Sequence, residues 1–160
     1  MKKTVQLLAG LAMLLTAVVA APTAAHADEA PSGIRPRDGN LYAWDKPSYE
    51  SSINRPTACV WSEASTNWEG CKFIGGLWDM RNEASSVYNN SSGNRPVNLY
   101  YTVNYGGAWL CLHPGSYMDN LNNRILSWGP GKGGYRQNAN DNISSHRWKA
   151  AGTSCGNHNP

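Results

Sequence analysis

Two short polar stretches carry side chains that could do chemistry. They are residues 81–86, Arg-Asn-Glu-Ala-Ser-Ser, and residues 140–145, Asn-Asp-Asn-Ile-Ser-Ser, at a fixed offset of 59. The side-chain oxygens of Asn, Asp and Ser either hydrogen-bond the backbone of a turn or ligate a hard cation. In both stretches the Ser-Ser step is expected to begin a short strand, so each polar loop would precede a strand.

No catalytic motif accompanies these stretches. The histidines after residue 27 are His113, His146 and His158, and His146 aligns with Val87 in the repeat, which predicts a strand residue rather than a base. The adjacent serines of the second stretch lack the context of a nucleophile elbow. No phosphate-binding loop, zinc motif or distinct pair of acids is present in the sequence. We therefore expect a binding protein rather than an enzyme.

A second signature precedes each polar stretch. Residues 44–51 match residues 100–107 at an offset of 56, and each copy reads aromatic, four residues, Tyr, one residue, then Ser or Gly. Gly107 can take the positive φ of a tight hairpin, and the two aromatic rings can stack across it. Ser51 replaces this glycine in the first copy. Two signatures recurring in the same order predict two similar halves that pack as two small sheets.

The composition after residue 27 favours strands and turns, because Gly, Asn, Ser, Trp and Tyr are abundant there. Tyr117, Leu121 and Ile125 have helical spacing and predict one short helix or turn. The ordered domain would span residues 39–149, with loosely held segments at 28–38 and 150–160. Strands are expected near residues 40–45, 58–61, 72–75, 86–89, 97–102, 108–112 and 144–148.

The N-terminus predicts export. Lys2 and Lys3 precede an apolar run, and Ala25-His26-Ala27 follows it, the pattern of a signal peptide at residues 1–27. A retained membrane helix is less favoured, because the run has no basic stop-transfer flank. The remaining 133 residues suit one domain. Two of the 14 Lys and Arg residues lie in the leader, which leaves 12 against 11 Asp and Glu and no nucleic-acid footprint. We expect a secreted, extracellular monomer without a membrane partner.

All four cysteines, Cys59, Cys71, Cys111 and Cys155, lie in the exported part. An oxidising compartment favours two disulfides over a metal site, and the spacings match no zinc pattern. Three pairings are open, and proximity favours Cys59 with Cys71 and Cys111 with Cys155. Loop closure would then contribute about 3 and about 4 kcal/mol.

The two repeated signatures resemble those of the βγ-crystallin Greek-key superfamily, and more narrowly those of the secreted actinobacterial proteins of peptidase inhibitor family I36. The resemblance covers about residues 39–149 and rests on the aromatic-x4-aromatic-x-Gly hairpin and the Asx-Asx-x-x-Ser-Ser loop. It implies an all-β fold, a double Greek-key β-sandwich with keys at 39–90 and 97–149. It also implies calcium sites and a target protease as partner.

The resemblance further implies a set of calcium ligands, since each site in the superfamily combines one loop with a Ser or Thr hydroxyl of the other. The set is Asn140, Asp141, Asn142 and Ser144 with Ser85. Its single carboxylate predicts weak affinity. In the first copy an arginine stands where the second has Asn140, and a guanidinium only donates, so at most one calcium is expected. The alternative is that both loops are turns bonding their own backbone.

Inhibition requires a rigid, exposed, substrate-like segment. Residues 54–61 are a candidate, with Ala58, Cys59 and Val60 as the inhibitory loop, because Pro56 fixes its φ and a disulfide would tether it. Val60 could serve as the apolar side chain that a metalloprotease pocket prefers. The alternative is that residues 59–61 form an ordinary core strand.

Seven tryptophans offer a different function. Most fall at strand or repeat-equivalent positions and are expected in the core. Trp68 and Trp128 lie among Gly and Asn residues and are the expected exposed pair, which could stack on sugars. An extracellular carbohydrate-binding, antimicrobial or structural binding protein is therefore the alternative to a peptidase inhibitor.

Overall fold

The computed structural model describes residues 31, 37–49, 58–73 and 78–156. The expected signal peptide, Ser51 and the segment 54–57 lie outside this part of the chain. Within it the chain forms short strands connected by turns, and three single-turn 3-10 helices at Pro47–Tyr49, Trp68–Gly70 and Leu121–Asn123. The strands are β1 Asn40–Trp44, β2 Cys59–Trp61, β3 Lys72–Phe73, β4 Trp78–Asp79, β5 Ser86–Asn90, β6 Val97–Thr102, β7 Gly106–Leu112, β8 Tyr117–Met118 and β9 Ser145–Trp148.

The strands form two main antiparallel sheets and one small hairpin. The first sheet has the order β2-β1-β5-β8, the second has the order β7-β6-β9, and β3 pairs with β4. The all-β prediction is confirmed. β4 and β8 are strands that the sequence did not predict, since each has two residues, too few to show a periodic pattern.

Each half contributes a segment to the sheet of the other half. β8, from the second half, pairs with β5 of the first sheet. Reciprocally, Ser65 of the first half bridges to His146 of β9. The 3-10 helices that follow these segments bond across as well: Trp68 N–H donates to the Ser144 carbonyl at 2.9 Å, and Leu121 N–H donates to the Ser85 carbonyl at 2.9 Å. The two halves are therefore interlocked.

The predicted helix or turn around Tyr117, Leu121 and Ile125 is a strand followed by a single 3-10 turn. Asn120 caps that turn by accepting a hydrogen bond from the Asn122 N–H at 2.9 Å. Asn67 caps the turn at Trp68–Gly70 in the same way, accepting from Glu69 N–H at 3.1 Å. Asparagine favours this position because its short side chain reaches the backbone N–H two residues ahead.

The core lies between the two sheets. Along β1 and β6 alternate residues point inward, so that Leu41, Ala43, Val97 and Leu99 are fully buried. Aromatic side chains such as Tyr42 and Tyr100 lie on the opposite faces. The further buried apolar side chains include Met80, Val87, Ala108, Leu110, Leu112, Leu121, Leu126, Ala139 and Ile143.

Two disulfides cross-link the described part of the chain. Cys59 is bonded to Cys71, and Cys111 is bonded to Cys155, which is the pairing that proximity favoured. The second bond holds the C-terminal segment, where Cys155 is buried. The predicted disulfide thus anchors Cys155 to β7.

The two aromatic rings of each hairpin signature are in contact, but in edge-on or tilted arrangements rather than stacked ones. The rings of Trp44 and Tyr49 lie 5.2 Å apart and those of Tyr100 and Tyr105 lie 5.8 Å apart, between centroids. Gly107 has φ +74°, and a Cβ there would lie 3.0 Å from the Gly133 carbonyl oxygen. Both the conformation and the space therefore require glycine at this position.

Candidate functional site

The predicted inhibitory residues lie on an edge strand. β2 pairs on one side with β1, through Leu41 with Trp61 and Ala43 with Cys59, and it ends the order of the first sheet. Cys59 is buried, Ala58 is half-buried, and Val60 is 46% exposed. Val60 is thus the large apolar side chain that the described surface presents most openly. Residues 59–61 form a strand, and its neighbouring residues point to opposite faces, so Cys59 faces the core and Val60 faces solvent.

Val60 is held by covalent and aromatic contacts on both sides. Cys59 is bonded to Cys71, with Cα atoms 5.9 Å apart. The Trp61 ring stacks on the buried Trp68 ring, with centroids 4.7 Å apart and ring planes 22° apart. These contacts fix the backbone on either side of an exposed side chain, and such preorganisation lowers the entropy lost on binding.

The two polar loops have the same geometry at an offset of 59. Asp79 accepts from Arg81 N–H at 3.0 Å, as Asn138 accepts from Asn140 N–H at 2.7 Å. The second loop residue has positive φ in both copies, 59° at Asn82 and 55° at Asp141. These Asx turns correspond to the interpretation in which the loops bond their own backbone.

The loops also meet each other. Asn82 N–H donates to the Ile143 carbonyl at 2.9 Å, and Asp141 N–H donates to the Ala84 carbonyl at 3.1 Å. Ser85 therefore lies beside the loop that carries Asp141. Two members of the predicted set, Asp141 and Ser85, therefore lie at this junction between the halves.

Each of the two predicted serine ligands lies beside the loop of the other half: Ser144 beside the first loop and Ser85 beside the second. The Ser144 hydroxyl lies 2.7 Å from Asn82 Oδ1 and 2.9 Å from the Tyr101 carbonyl oxygen, and both atoms are acceptors. Asn142 Nδ2 donates to the carbonyls of Asn138 and Asn140 at 3.1 and 3.0 Å, which closes the turn. Ser144 thus belongs to the neighbourhood of the first loop, and Asn142 braces its own loop.

The junction concentrates negative charge. Burial, followed by the charges of Asp141, Asp79 and Asp45, raises the pKa of Glu83. Burial also raises the pKa of Asp141, although the charge of Lys46 and a hydrogen bond from Asn140 oppose the shift. Asn140 Oδ1 is buried and has no hydrogen-bond partner. An acceptor without a donor, beside clustered carboxyl groups, suits a cation.

Arg81 points away from this junction. Its Nη1 forms an ion pair with Glu69 Oε2 at 3.2 Å, and both side chains are largely exposed, at 40% and 48%. The side chain at this position of the first loop therefore supplies no oxygen, as the sequence predicted.

The expectation that Trp68 is exposed is wrong. Trp68 is fully buried, because it packs under Trp61 and its Nε1–H donates to His146 Nδ1 at 2.8 Å. Trp128 is half-exposed. His146 lies in β9, where its Nε2 lies 2.9 Å from the Glu63 carbonyl, so both ring nitrogens have partners. Burial lowers its pKa to about 4.

Two other kinds of feature are absent from the described residues. No helix among them is long and apolar enough to cross a membrane. The same part of the chain contains no group of three or more His, Cys, Asp or Glu placed to hold a metal ion. Any cation at the loop junction would therefore depend on amide, hydroxyl and backbone oxygens together with its carboxyl groups.

The chain matches the model of peptidase inhibitor family I36 over residues 38–112. This match confirms the resemblance found in the sequence, and it includes β2 and the Cys59–Cys71 disulfide. No curated protein sequence matches the chain. The family is one of inhibitors rather than enzymes, in agreement with the expectation of a non-catalytic protein. The disulfides and the family together favour an extracellular protein.

Similar solved structures are βγ-crystallins. A structure solved to trace the evolution of the eye lens βγ-crystallin domain fold has 17% identity and TM-score 0.50, and the match covers 71% of this chain and 88% of that one. A βγ-crystallin domain from Flavobacterium johnsoniae has 20% identity and TM-score 0.45, and the match covers 73% of this chain and 100% of that one. An archaeal βγ-crystallin has 13% identity and TM-score 0.43, and the match covers 68% of this chain and 94% of that one. The first likeness shows a βγ-crystallin fold.

Proposed function

We propose that the protein is a secreted inhibitor of a metalloprotease, and that β2 with the residue before it, Ala58–Trp61, is the segment that enters the protease. The family match over residues 38–112 is the observation that carries the inhibitory function. The exposed Val60 on a tethered edge strand supports the choice of segment.

An edge strand suits this task because its outer backbone groups are available to pair with another extended chain. β2 pairs with β1 along one edge, and its other edge ends the described sheet. A protease cleft binds its substrate in an extended conformation and could pair with that edge. Cys59 cannot swing away, since its disulfide and its burial hold it in place.

Val60 supplies the specificity in this proposal. Its side chain is apolar, branched and 46% exposed, so burying it in an enzyme pocket removes apolar surface from water. The β-branched side chain is also stiff, which keeps the cost of ordering low. An apolar pocket next to the catalytic metal is the expected receiver of this side chain.

Inhibition constants of Val60 variants test the segment. Val60→Asp is expected to raise the inhibition constant by about thirtyfold or more, as for a residue at the centre of an interface. Val103→Ala is a matched control on the turn between β6 and β7, and it should leave the constant unchanged. Equal inhibition by wild type and Val60→Asp, with melting temperatures preserved, would place the inhibitory surface elsewhere.

We further propose one weak calcium ion at the loop junction. The buried Asn140 Oδ1 without a donor is the observation that favours it. Of the predicted ligands, Asn140, Asp141 and Ser85 would hold it, whereas the Ser144 hydroxyl lies on Asn82 of the first loop and Asn142 closes its own turn. When bound, the ion would neutralise the carboxyl groups that now raise the pKa of Glu83 and would join the two halves.

A further inference from the structure

The second sheet carries a strip of aromatic side chains on its outer face. β2 belongs to the first sheet, so the strip and the proposed inhibitory segment lie on different sheets. Tyr100 lies 5.8 Å from Tyr105 and 5.7 Å from Trp109, and Trp109 lies 6.4 Å from Trp128, between ring centroids. All four side chains are half-exposed. The planes of Trp109 and Trp128 are within 12° of parallel. We call these four residues the aromatic strip.

Two basic side chains lie over aromatic rings of this strip. Lys132 Nζ lies 5.5 Å from the Trp109 ring centroid, and the Arg147 guanidinium carbon lies 5.6 Å from that of Tyr105. Both basic residues are exposed. The contact of each cation with a π face holds its charge above the strip while leaving it accessible to water.

The half of the chain that carries the strip is basic. Residues 97–156 contain five Lys and Arg residues but two acids, Asp119 and Asp141. Both acidic residues contact the first half: the Asp119 carbonyl accepts from Ser48 N–H, and Asp141 lies at the loop junction. Basic residues therefore outnumber acidic ones in the half of the chain that carries the strip.

A cavity of about 540 Å³ continues from one end of the strip. Trp128 belongs to both, and the cavity is also lined by Arg124, His113 and Tyr117 and by the Cys111–Cys155 disulfide. Its size is within the range of small-molecule sites. None of the described lining residues is acidic. The strip and the cavity adjoin at Trp128, and the basic groups over the strip are those of Lys132 and Arg147.

We propose that this surface binds an acidic polysaccharide, with pyranose rings stacked on the aromatic strip and carboxylates paired with Lys132 and Arg147. Aromatic rings offer flat apolar faces to the C–H faces of sugars. The exposed basic residues favour a negatively charged ligand, because the attraction between opposite charges stabilises the complex. The activity is separate from inhibition, because it uses the other sheet.

Affinity electrophoresis tests the proposal with two polymers that share a glucan backbone, carboxymethyl cellulose and hydroxyethyl cellulose. Carboxymethyl cellulose is expected to retard the wild type, and added salt should weaken this binding. Trp128→Ala should weaken it by about tenfold and Lys132→Gln by about fivefold. Lys46→Gln removes an equal charge from the first half and should have no effect.

Three outcomes overturn the proposal. They are no retardation of the wild type by carboxymethyl cellulose, equal retardation by the neutral polymer, and equal effects of Lys46→Gln and Lys132→Gln. If thermal melting shows that Trp128→Ala does not fold, Lys132→Gln and Arg147→Gln decide the result. Protease inhibition should be unchanged in every folded variant, which separates this site from the inhibitory segment.

Discussion

Ser86 and Ser145 do the same work in the two halves of the molecule. The Ser145 hydroxyl donates to the Thr102 carbonyl at 2.7 Å and accepts from Tyr105 N–H at 3.1 Å. The Ser86 hydroxyl makes the equivalent bonds to the Lys46 carbonyl and from Tyr49 N–H, at 2.7 and 3.2 Å. Each serine therefore fastens the folded-over hairpin to the strand that the Ser-Ser step begins. This bond explains why two signatures far apart in sequence recur together.

Replacing Ser145 with Ala should destabilise the protein by about 1–3 kcal/mol, because the side chain is fully buried and leaves a carbonyl and an N–H without partners. Urea denaturation followed by tryptophan fluorescence measures the change. Ser62→Ala, at an exposed serine, should change stability by less than about 0.5 kcal/mol. Similar effects of the two variants would show that the hairpin does not depend on this bond.

His146 should make stability depend on pH. Its pKa is lowered to about 4 by burial, from 6.5, so the unfolded chain binds a proton that the folded chain excludes. Stability is then fully present above pH 6.5 and falls as the pH drops toward 4, by about 3 kcal/mol. The raised pKa values of Glu83 and Asp141 act in the opposite direction.

Comparison with His146→Gln isolates the histidine. Denaturation midpoints measured between pH 4 and pH 8 should fall toward low pH more steeply for wild type than for this variant. Parallel curves would mean that His146 binds its proton equally in both states. His113 is exposed and provides a control position, because His113→Gln should retain the steep fall.

The sequence predicted the exposure of Val60 better than that of Trp68. The candidate inhibitory segment required an exposed Val60, and the structure explains this exposure by alternation along β2, which places Val60 opposite the buried Cys59. The burial of Trp68 depends on partners distant in sequence, the ring of Trp61 and Nδ1 of His146. Gly and Asn neighbours indicated a turn, which is present, but a turn does not determine whether its side chain faces the core.

At the scale of elements, the repeated hairpins and loops were predictable because each has a local physical requirement. Gly107 must take a positive φ, and Asn or Asp tolerates it at the second loop position. The strands β4 and β8 were not predictable, since each has two residues and depends on a partner strand. The pairing of β8 with β5 and of Ser65 with His146 was not predictable for the same reason, because the partners are distant in sequence.

The two polar loops should respond to calcium as one element. Calcium at a hundred times its dissociation constant is expected to stabilise the folded protein by about 2.7 kcal/mol, or ~5–10 °C in Tm. Asp141→Ala should abolish that increment, and Ser85→Ala should reduce it, because the two residues lie on loops that meet. Thermal melting with calcium and with chelator measures the increment.

Glu69→Ala is the matched control for loss of a carboxylate. Glu69 pairs with Arg81 on the surface, and its removal should leave the calcium increment intact. An equal increment in wild type and Asp141→Ala would show that the ion binds elsewhere and that the loop is only a turn. A stoichiometry of two ions per chain would contradict the argument from Arg81.

At the scale of the whole molecule, the interlocked halves provide one rigid body with separate surfaces. The exposed edge of the first sheet carries Val60, the junction carries the two polar loops, and the outer face of the second sheet carries the aromatic strip. The repeat predicted the two halves and the family predicted inhibition. Neither could predict that β2 lies at an edge of its sheet, on which the proposed inhibitory segment depends.

Titration of a protease panel tests inhibition most directly. Purified mature protein is added in increments to metalloproteases and serine proteases at fixed concentration, and residual activity is measured with a small peptide substrate. The expected result is a linear loss of activity of a metalloprotease that ends near one equivalent, with the serine proteases unaffected. Undiminished activity of every metalloprotease, with the added protein intact or degraded, would contradict inhibition by this chain.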